Sequence, residues 1–195
     1  MNRTNPTFAS DGFEIRHAVL DPRQIGAIKA EVSVDHEILR RTGIRNLEKK
    51  FVSIAEVAAD PSVLAIAGSM LDGTPKLVRA LFFDKTDERN WSVPWHQDRT
   101  VALNQRTEMQ GWVAWTVKDG VHHVQPPRLV LDHMVTIRLH VDDADTETGC
   151  LSVIPGSHRL GILTPDGIRK AVDRGHSVPH YSVAAMVQRI LDARD

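Results

Sequence analysis

The sequence predicts a mostly β protein, a sandwich or barrel with helices packed outside it. Three observations carry this. Helical spacing of apolar residues dominates up to Gly73, strand-length apolar runs follow from Leu77, and turn signals separate those runs. At 195 residues, 42% of them apolar, the chain is long enough for one domain (1–195) with a sizeable core.

The helical part is built from caps. Asp21-Pro22 pairs an N-cap residue with proline at the first helical position, and Ile25, Ile28 and Val32 then share one face. Ser53 and Glu56 have capping-box spacing and predict a helix start at SIAEVAA. Asp60-Pro61 repeats the first device, and Val63, Leu64, Ala67 and Leu71 form a core stripe. The strand-like runs are LVRALFF, WSVPW, WVAWTV, LVL, MVTIRLHV and CLSVI. Asp119-Gly120, Pro126-Pro127, the acidic run from Asp142 to Thr148 and Pro155-Gly156 punctuate them. One late helix is predicted, capped by Thr164, entered through Pro165 and stopped by Gly175.

Composition excludes several classes. Twenty-four basic residues against 25 acidic ones leave a net charge of −1, without the basic excess of a nucleic-acid binder. No apolar run approaches the ~18 residues of a membrane span, and MNRTNPTFASDG has no apolar core of signal-peptide type. A cytoplasmic protein is expected. The single cysteine, Cys150, allows no internal disulfide and reads as a small core residue.

The sharpest local feature is WHQD, residues 95–98. On an extended strand His96 and Asp98 point to one face and Gln97 away from it, or round at a bulge. An imidazole and a carboxylate aimed at one point are two thirds of a 2-His-1-carboxylate metal site. An exposed His-Asp pair on a strand end has the same spacing. Trp91, Trp95, Trp112 and Trp115 are all the tryptophans of the chain, and they either wall a pocket or pack as core. From Val135 to Val141 the residues alternate. Val135, Ile137, Leu139 and Val141 form one face, while Thr136, Arg138 and His140 form the other. Arg138 then binds a carboxylate through paired hydrogen bonds or faces solvent.

The stretches RALFFDKTDERNWSVPWHQDRTVAL, GVHHVQPP and TIRLHVDDADTETGCLSVIPGSHRLGIL, in that order, resemble the phytanoyl-CoA dioxygenase family of Fe(II)/2-oxoglutarate oxygenases over residues 13–185. The resemblance implies a double-stranded β-helix, a cupin-like jelly roll with flanking N-terminal helices. It implies His96 and Asp98 as the first two iron ligands, and Gln97 and Trp115 lining the cosubstrate pocket. It also implies that Pro155-Gly156-Ser157-His158 frames the active-site mouth, with His158 as a loop residue rather than the third ligand. With the site complete, the activity would be hydroxylation of a small organic or acyl substrate.

The departure from the family lies late. The family pattern ends in a distal histidine, the third ligand, and an arginine about ten residues on that binds 2-oxoglutarate. This chain follows the family to about residue 185 and then reads MVQRILDARD, and no histidine follows His180. The expectation is therefore a C-terminally incomplete member whose closing strands are missing. Two consequences follow: an impaired oxygenase or a non-catalytic binding barrel, and strand edges exposed to a second copy. His176 and His180, the only late histidines, read as loop histidines without a metal role, the alternative being that either swings in as a substitute ligand. The expected partners are a small-molecule substrate and no nucleic acid or membrane.

Overall fold

The computed structural model describes residues 7–35, 43–83, 93–143 and 150–175, and the backbone alone of 178–179, 184–189 and 193–194. A short helix α1 (Phe8–Asp11) and strand β1 (Phe13–His17) precede α2 (Pro22–Ser33). The cap of α2 is reciprocal. Asp21 accepts from the N–H groups of Arg23 at 2.7 Å and Gln24 at 2.9 Å, and its own N–H donates to Gln24 Oε1 at 2.8 Å. The Gln24 amide also donates to Asp60 Oδ2 at 2.8 Å, which ties α2 to the start of α4 (Pro61–Gly68). Ile28 and Val32 bury against Leu47, Val57 and Val63 to make the core of this helical layer.

Helix α3 (Val52–Ala58) starts differently from the sequence expectation. Phe51 is its N-cap and makes no side-chain cap bond, while Ser53 lies inside the helix. Glu31 of α2 instead accepts from the Ser53 N–H at 3.1 Å and hydroxyl at 2.7 Å. The cap therefore comes from a neighbouring helix. Ser-x-x-Glu spacing records only which residues are near in sequence, so it could not show this.

The strand half begins with β2 (Ile44–Arg45) paired to β3 (Leu81–Phe82), the only paired part of LVRALFF. In WSVPW, residues 91 and 92 lie outside the described residues, and 93–95 form no strand around Pro94, which has no N–H to give. Then come β4 (His96–Gln97), β5 (Val101–Leu103), β6 (Val113–Lys118) and β7 (Val121–Gln125). Asp119 and Gly120 turn the β6–β7 hairpin with φ of 49° and 75°, the left-handed pair that matches strand twist.

LVL is a helical turn, not a strand: α5 (Arg128–Leu131). After the extended Pro126-Pro127 pair, Val130 donates to the Pro127 carbonyl at 2.9 Å, and Leu131 buries against Val101 and Val124. A three-residue apolar run carries no period by which strand and helix differ. Strands β8 (Val135–Arg138) and β9 (Ser152–Val153) and helix α6 (Pro165–Arg174) follow as expected. Thr164 accepts from the Gly167 N–H at 3.1 Å. At Gly175 a Cβ would meet Ile154 Cγ2 at 2.6 Å and the Ala171 carbonyl at 2.8 Å, so close packing selects this glycine. Cys150 is half-buried.

Every strand pairing among the described residues is antiparallel. One sheet has the order β1-β11-β8, with β11 (Ala184–Arg189) between the first strand of the chain and β8. A second has the order β10-β9-β12-β4, where β10 is Val178–Pro179 and β12 is Ala193–Arg194. The hairpin sheet is β5-β7-β6. Among the described residues neither of the larger sheets closes, so the architecture is a cupin-like fold with N-terminal helices and unclosed sheets. Strand β4, which carries His96, is an edge of its sheet among the described residues.

Candidate metal centre

His96 leaves the edge strand with its ring orientation fixed. Its Nδ1 lies 2.8 Å from the Pro94 carbonyl, an acceptor, so Nδ1 carries a proton and Nε2 is the nitrogen turned toward Asp98. Nε2 is 3.6 Å from Asp98 Oδ1. A carbonyl on the far ring nitrogen is the usual way a metal-binding histidine is oriented. The i, i+2 spacing thus brings an imidazole and a carboxylate to one point, both partly exposed. Among the described residues no group of three or more His, Cys, Asp or Glu side chains is arranged to hold a metal. Among the described residues His96 and Asp98 converge without a third such side chain, and no iron-dependent step can be derived from this arrangement.

Gln97 points away from the pair and is buried. Its Nε2 donates to the Gly161 carbonyl and its Oε1 accepts from the Leu163 N–H, both at 2.8 Å. The amide staples the loop after the 3-10 turn Ser157–Leu160 to the back of β4. That turn is anchored in the other direction too. Gly156 N–H donates to the Asp11 carbonyl at 2.8 Å and Arg159 donates to the Ala9 carbonyl at 3.0 Å, with Ser157 and His158 buried.

Trp115 lies on β6 and packs, with Trp112, against the Val101–Val124–Leu131 cluster. It meets His122 edge-on at 6.3 Å, and the Arg106 guanidinium lies 5.7 Å from its ring centre. Arg138 ends β8. Ile137, Leu139 and Val141 pack on the helical layer, so alternation turns Thr136, Arg138 and His140 to the opposite face. The sequence-predicted residues thus divide: His96 and Asp98 converge, while Gln97, Trp115 and Arg138 stand on strands of three different sheets.

Burial, reinforced by the Arg138 charge, pushes the His140 pKa down to about 4 from 6.5. Between those values the unfolded chain holds a proton that the folded one does not. Folding stability from this group is complete above about pH 6.5 and falls as pH drops toward about 4. His140→Gln should flatten the acid side of a melting temperature against pH profile, and an unchanged slope would refute the assignment.

Sequence reasoning missed Arg79 and His123. Arg79 is half-buried, and desolvation lowers its pKa against the opposing pull of Asp98. The signal was a cation inside the apolar run LVRALFF. Next to it, Val78 faces the other way, into an apolar groove of about 540 Å3 lined also by Leu103, Trp112, Leu129 and Met134.

The chain is similar in fold to several solved structures. AviO1 from Streptomyces viridochromogenes Tue57 matches with a TM-score of 0.67 and 22% identity over 96% of this chain and 82% of that one. The non-heme alpha ketoglutarate dependent carbocyclase SnoK from nogalamycin biosynthesis matches with a TM-score of 0.70 and 13% identity, over 96% and 73%. HygX from Streptomyces hygroscopicus with nickel and 2-oxoglutarate bound matches with a TM-score of 0.65 and 16% identity, over 96% and 76%. The chain spans 43% of the length of EvdMO1, which it matches with a TM-score of 0.68 and 22% identity. Among curated proteins no match is found. The sequence profile described as Phytanoyl-CoA dioxygenase (PhyH) matches residues 8–190, nearly the whole chain. With the cupin-like sheets and the His-x-Asp strand end already in place, that match assigns the chain to the phytanoyl-CoA dioxygenase family.

Proposed function

We propose that this chain is a phytanoyl-CoA-dioxygenase scaffold with a two-ligand metal position, and that by itself it binds rather than turns over. The observation that carries this is the His96–Asp98 pair, 3.6 Å apart and correctly oriented, with no third ligand among the described residues. Fe(II) and 2-oxoglutarate are the cofactors that family membership implies. Bound together, they supply oxidative attack on a C–H bond. Here His96 and Asp98 would hold the metal. Arg138, on a face turned from the helical layer, and Trp115 stand as cosubstrate-side residues in this reading. Gln97 acts through the loop backbone it holds.

Equilibrium dialysis with Co(II) tests the metal position. Two protein ligands instead of three should weaken binding by about 10–100-fold relative to a complete site, and His96→Ala or Asp98→Ala should abolish it. Retention of Co(II) by either variant would overturn the assignment. The family match favours a second reading, oxygenase turnover on a small organic or acyl substrate, which needs a third ligand from outside the described residues.

No described helix is long and apolar enough to cross a membrane. Strands β4 and β8 are edges in the described sheets, and we propose that a second copy pairs with one of them. Light scattering should then give a mass above one chain that falls on dilution. A monomer at all concentrations would refute it.

A further inference from the structure

The β2–β3 pair and the hairpin sheet share no strand, and an ion pair ties them together. Arg45 stands on β2 opposite Leu81 of β3, and its Nη1 lies 2.9 Å from Oδ2 of Asp119 at the tip of the β6–β7 hairpin. The apolar groove of about 540 Å3 has its walls on the same two units. Val78, in the run leading into β3, forms one wall, and Leu103 of β5 and Trp112 at the foot of β6 form the other. Leu129 of α5 and Met134 complete the lining. At most about 11 Å of chain separates Val78 from Leu81, so that wall and the strand holding Arg45 move as one. The six-residue strand β6 is then a lever, with the groove at its foot and the ion pair at its tip. Val78 is 47% exposed and Leu129 71%, so the empty groove keeps apolar surface in water.

We propose that this groove is a binding site for an uncharged, apolar small molecule, and that Arg45–Asp119 is the latch that holds its two walls together. The volume lies within the range of about 300–1,000 Å3 typical of small-molecule sites. Charge sets the ligand class. No carboxylate, ammonium or guanidinium lines the groove among the described residues. The polar side chain there, His133, is committed through Nδ1 to the Leu129 carbonyl at 2.7 Å. An ionised ligand would give up its hydration there without an opposite charge to replace it, whereas apolar surface entering the groove leaves water at no such cost. Both latch side chains are partly exposed, so the pair is weak enough to open and close without unfolding either sheet.

Neither His96 nor Asp98 lines the groove, so this site and the metal position can fail separately. The test is metal-free. The full chain is titrated near neutral pH with the uncharged fluorophore N-phenylnaphthylamine, and release of the probe is followed by stopped flow. Anilinonaphthalene sulfonate, the same ring skeleton with a negative charge, should bind more weakly by about tenfold or more. Val78→Asp should weaken the uncharged probe by about tenfold or more, and Leu129→Ser, at a still more exposed position, serves if Val78→Asp does not fold. Leu160→Ser, an exposed apolar residue outside the groove, should leave binding unchanged. Asp119→Asn keeps a residue that tolerates the left-handed turn and removes the charge, and release should quicken by about twofold to fivefold. Arg45→Gln should do the same, and the double variant should match either single one because all three break the same bond. A Val78→Asp and a Leu129→Ser protein that both bind like the parent would overturn the proposal, as would tighter binding of the sulfonate. Release unchanged in the latch variants would overturn it too. So would probe affinity that falls as protein concentration rises, since a second copy would then occupy the groove.

Discussion

Given Fe(II), ascorbate and 2-oxoglutarate under air, the chain is expected to release succinate no faster than its His96→Ala variant. In the proposed reading two of three metal ligands, His96 and Asp98, stand at the end of a strand that is an edge of its described sheet. Loss of metal support typically costs about 10–100-fold in affinity or activity. A cosubstrate misplaced by about 1 Å loses roughly another 100-fold in rate. Together these bring turnover down on the order of a thousandfold or more relative to a complete family site. Succinate formation well above the His96→Ala background would show that a third ligand is supplied. His176 and His180 would then be the first candidates, and both lie outside the described residues. Substituting each by alanine in that event would identify the ligand.

What could be read in the sequence was set by how local each signal is. Asp21-Pro22 and Asp119-Gly120 determine their own backbone, so their cap and turn appear where expected. The His96–Asp98 convergence needed only the two-residue period of a strand, and it holds even on a strand two residues long. The alternation from Val135 to Val141 was legible because one face is buried against helices. Signals that depend on a distant partner were not legible. Ser53 looked like a cap, but its bond goes to Glu31, 22 positions earlier. LVL looked like a strand until Pro127 and Leu131 made it a turn. Arg79 and His123 carry no motif, so a half-buried cation and a buried imidazole at these positions were not legible. Gln97 is the intermediate case: its direction followed from the strand period, while its partners, more than 60 positions away, did not.

That partnership makes Gln97 the position at which a single substitution should hurt most. Its amide uses both ends. One hydrogen goes to the Gly161 carbonyl and the oxygen takes the Leu163 N–H, in a side chain 6% exposed. Gln97→Leu keeps the volume and strands a carbonyl and an N–H, each worth about 1–3 kcal/mol when left unpaired in a buried setting, so a loss of about 2–6 kcal/mol is expected. Gln97→Glu keeps the acceptor for Leu163 but faces a carboxylate oxygen to the Gly161 carbonyl, and should be destabilising as well. The effect reaches the metal end through the strand. With its back unfastened, edge strand β4 loses the constraint that aims His96, and Co(II) affinity should fall by about tenfold, as for other lost support around metal ligands. Urea unfolding and Co(II) dialysis on the same preparations separate this from a direct cosubstrate contact. A contact residue would lower 2-oxoglutarate binding and leave the urea midpoint in place. A Gln97→Leu protein with the parent's midpoint would sink the structural role and return Gln97 to the cosubstrate pocket.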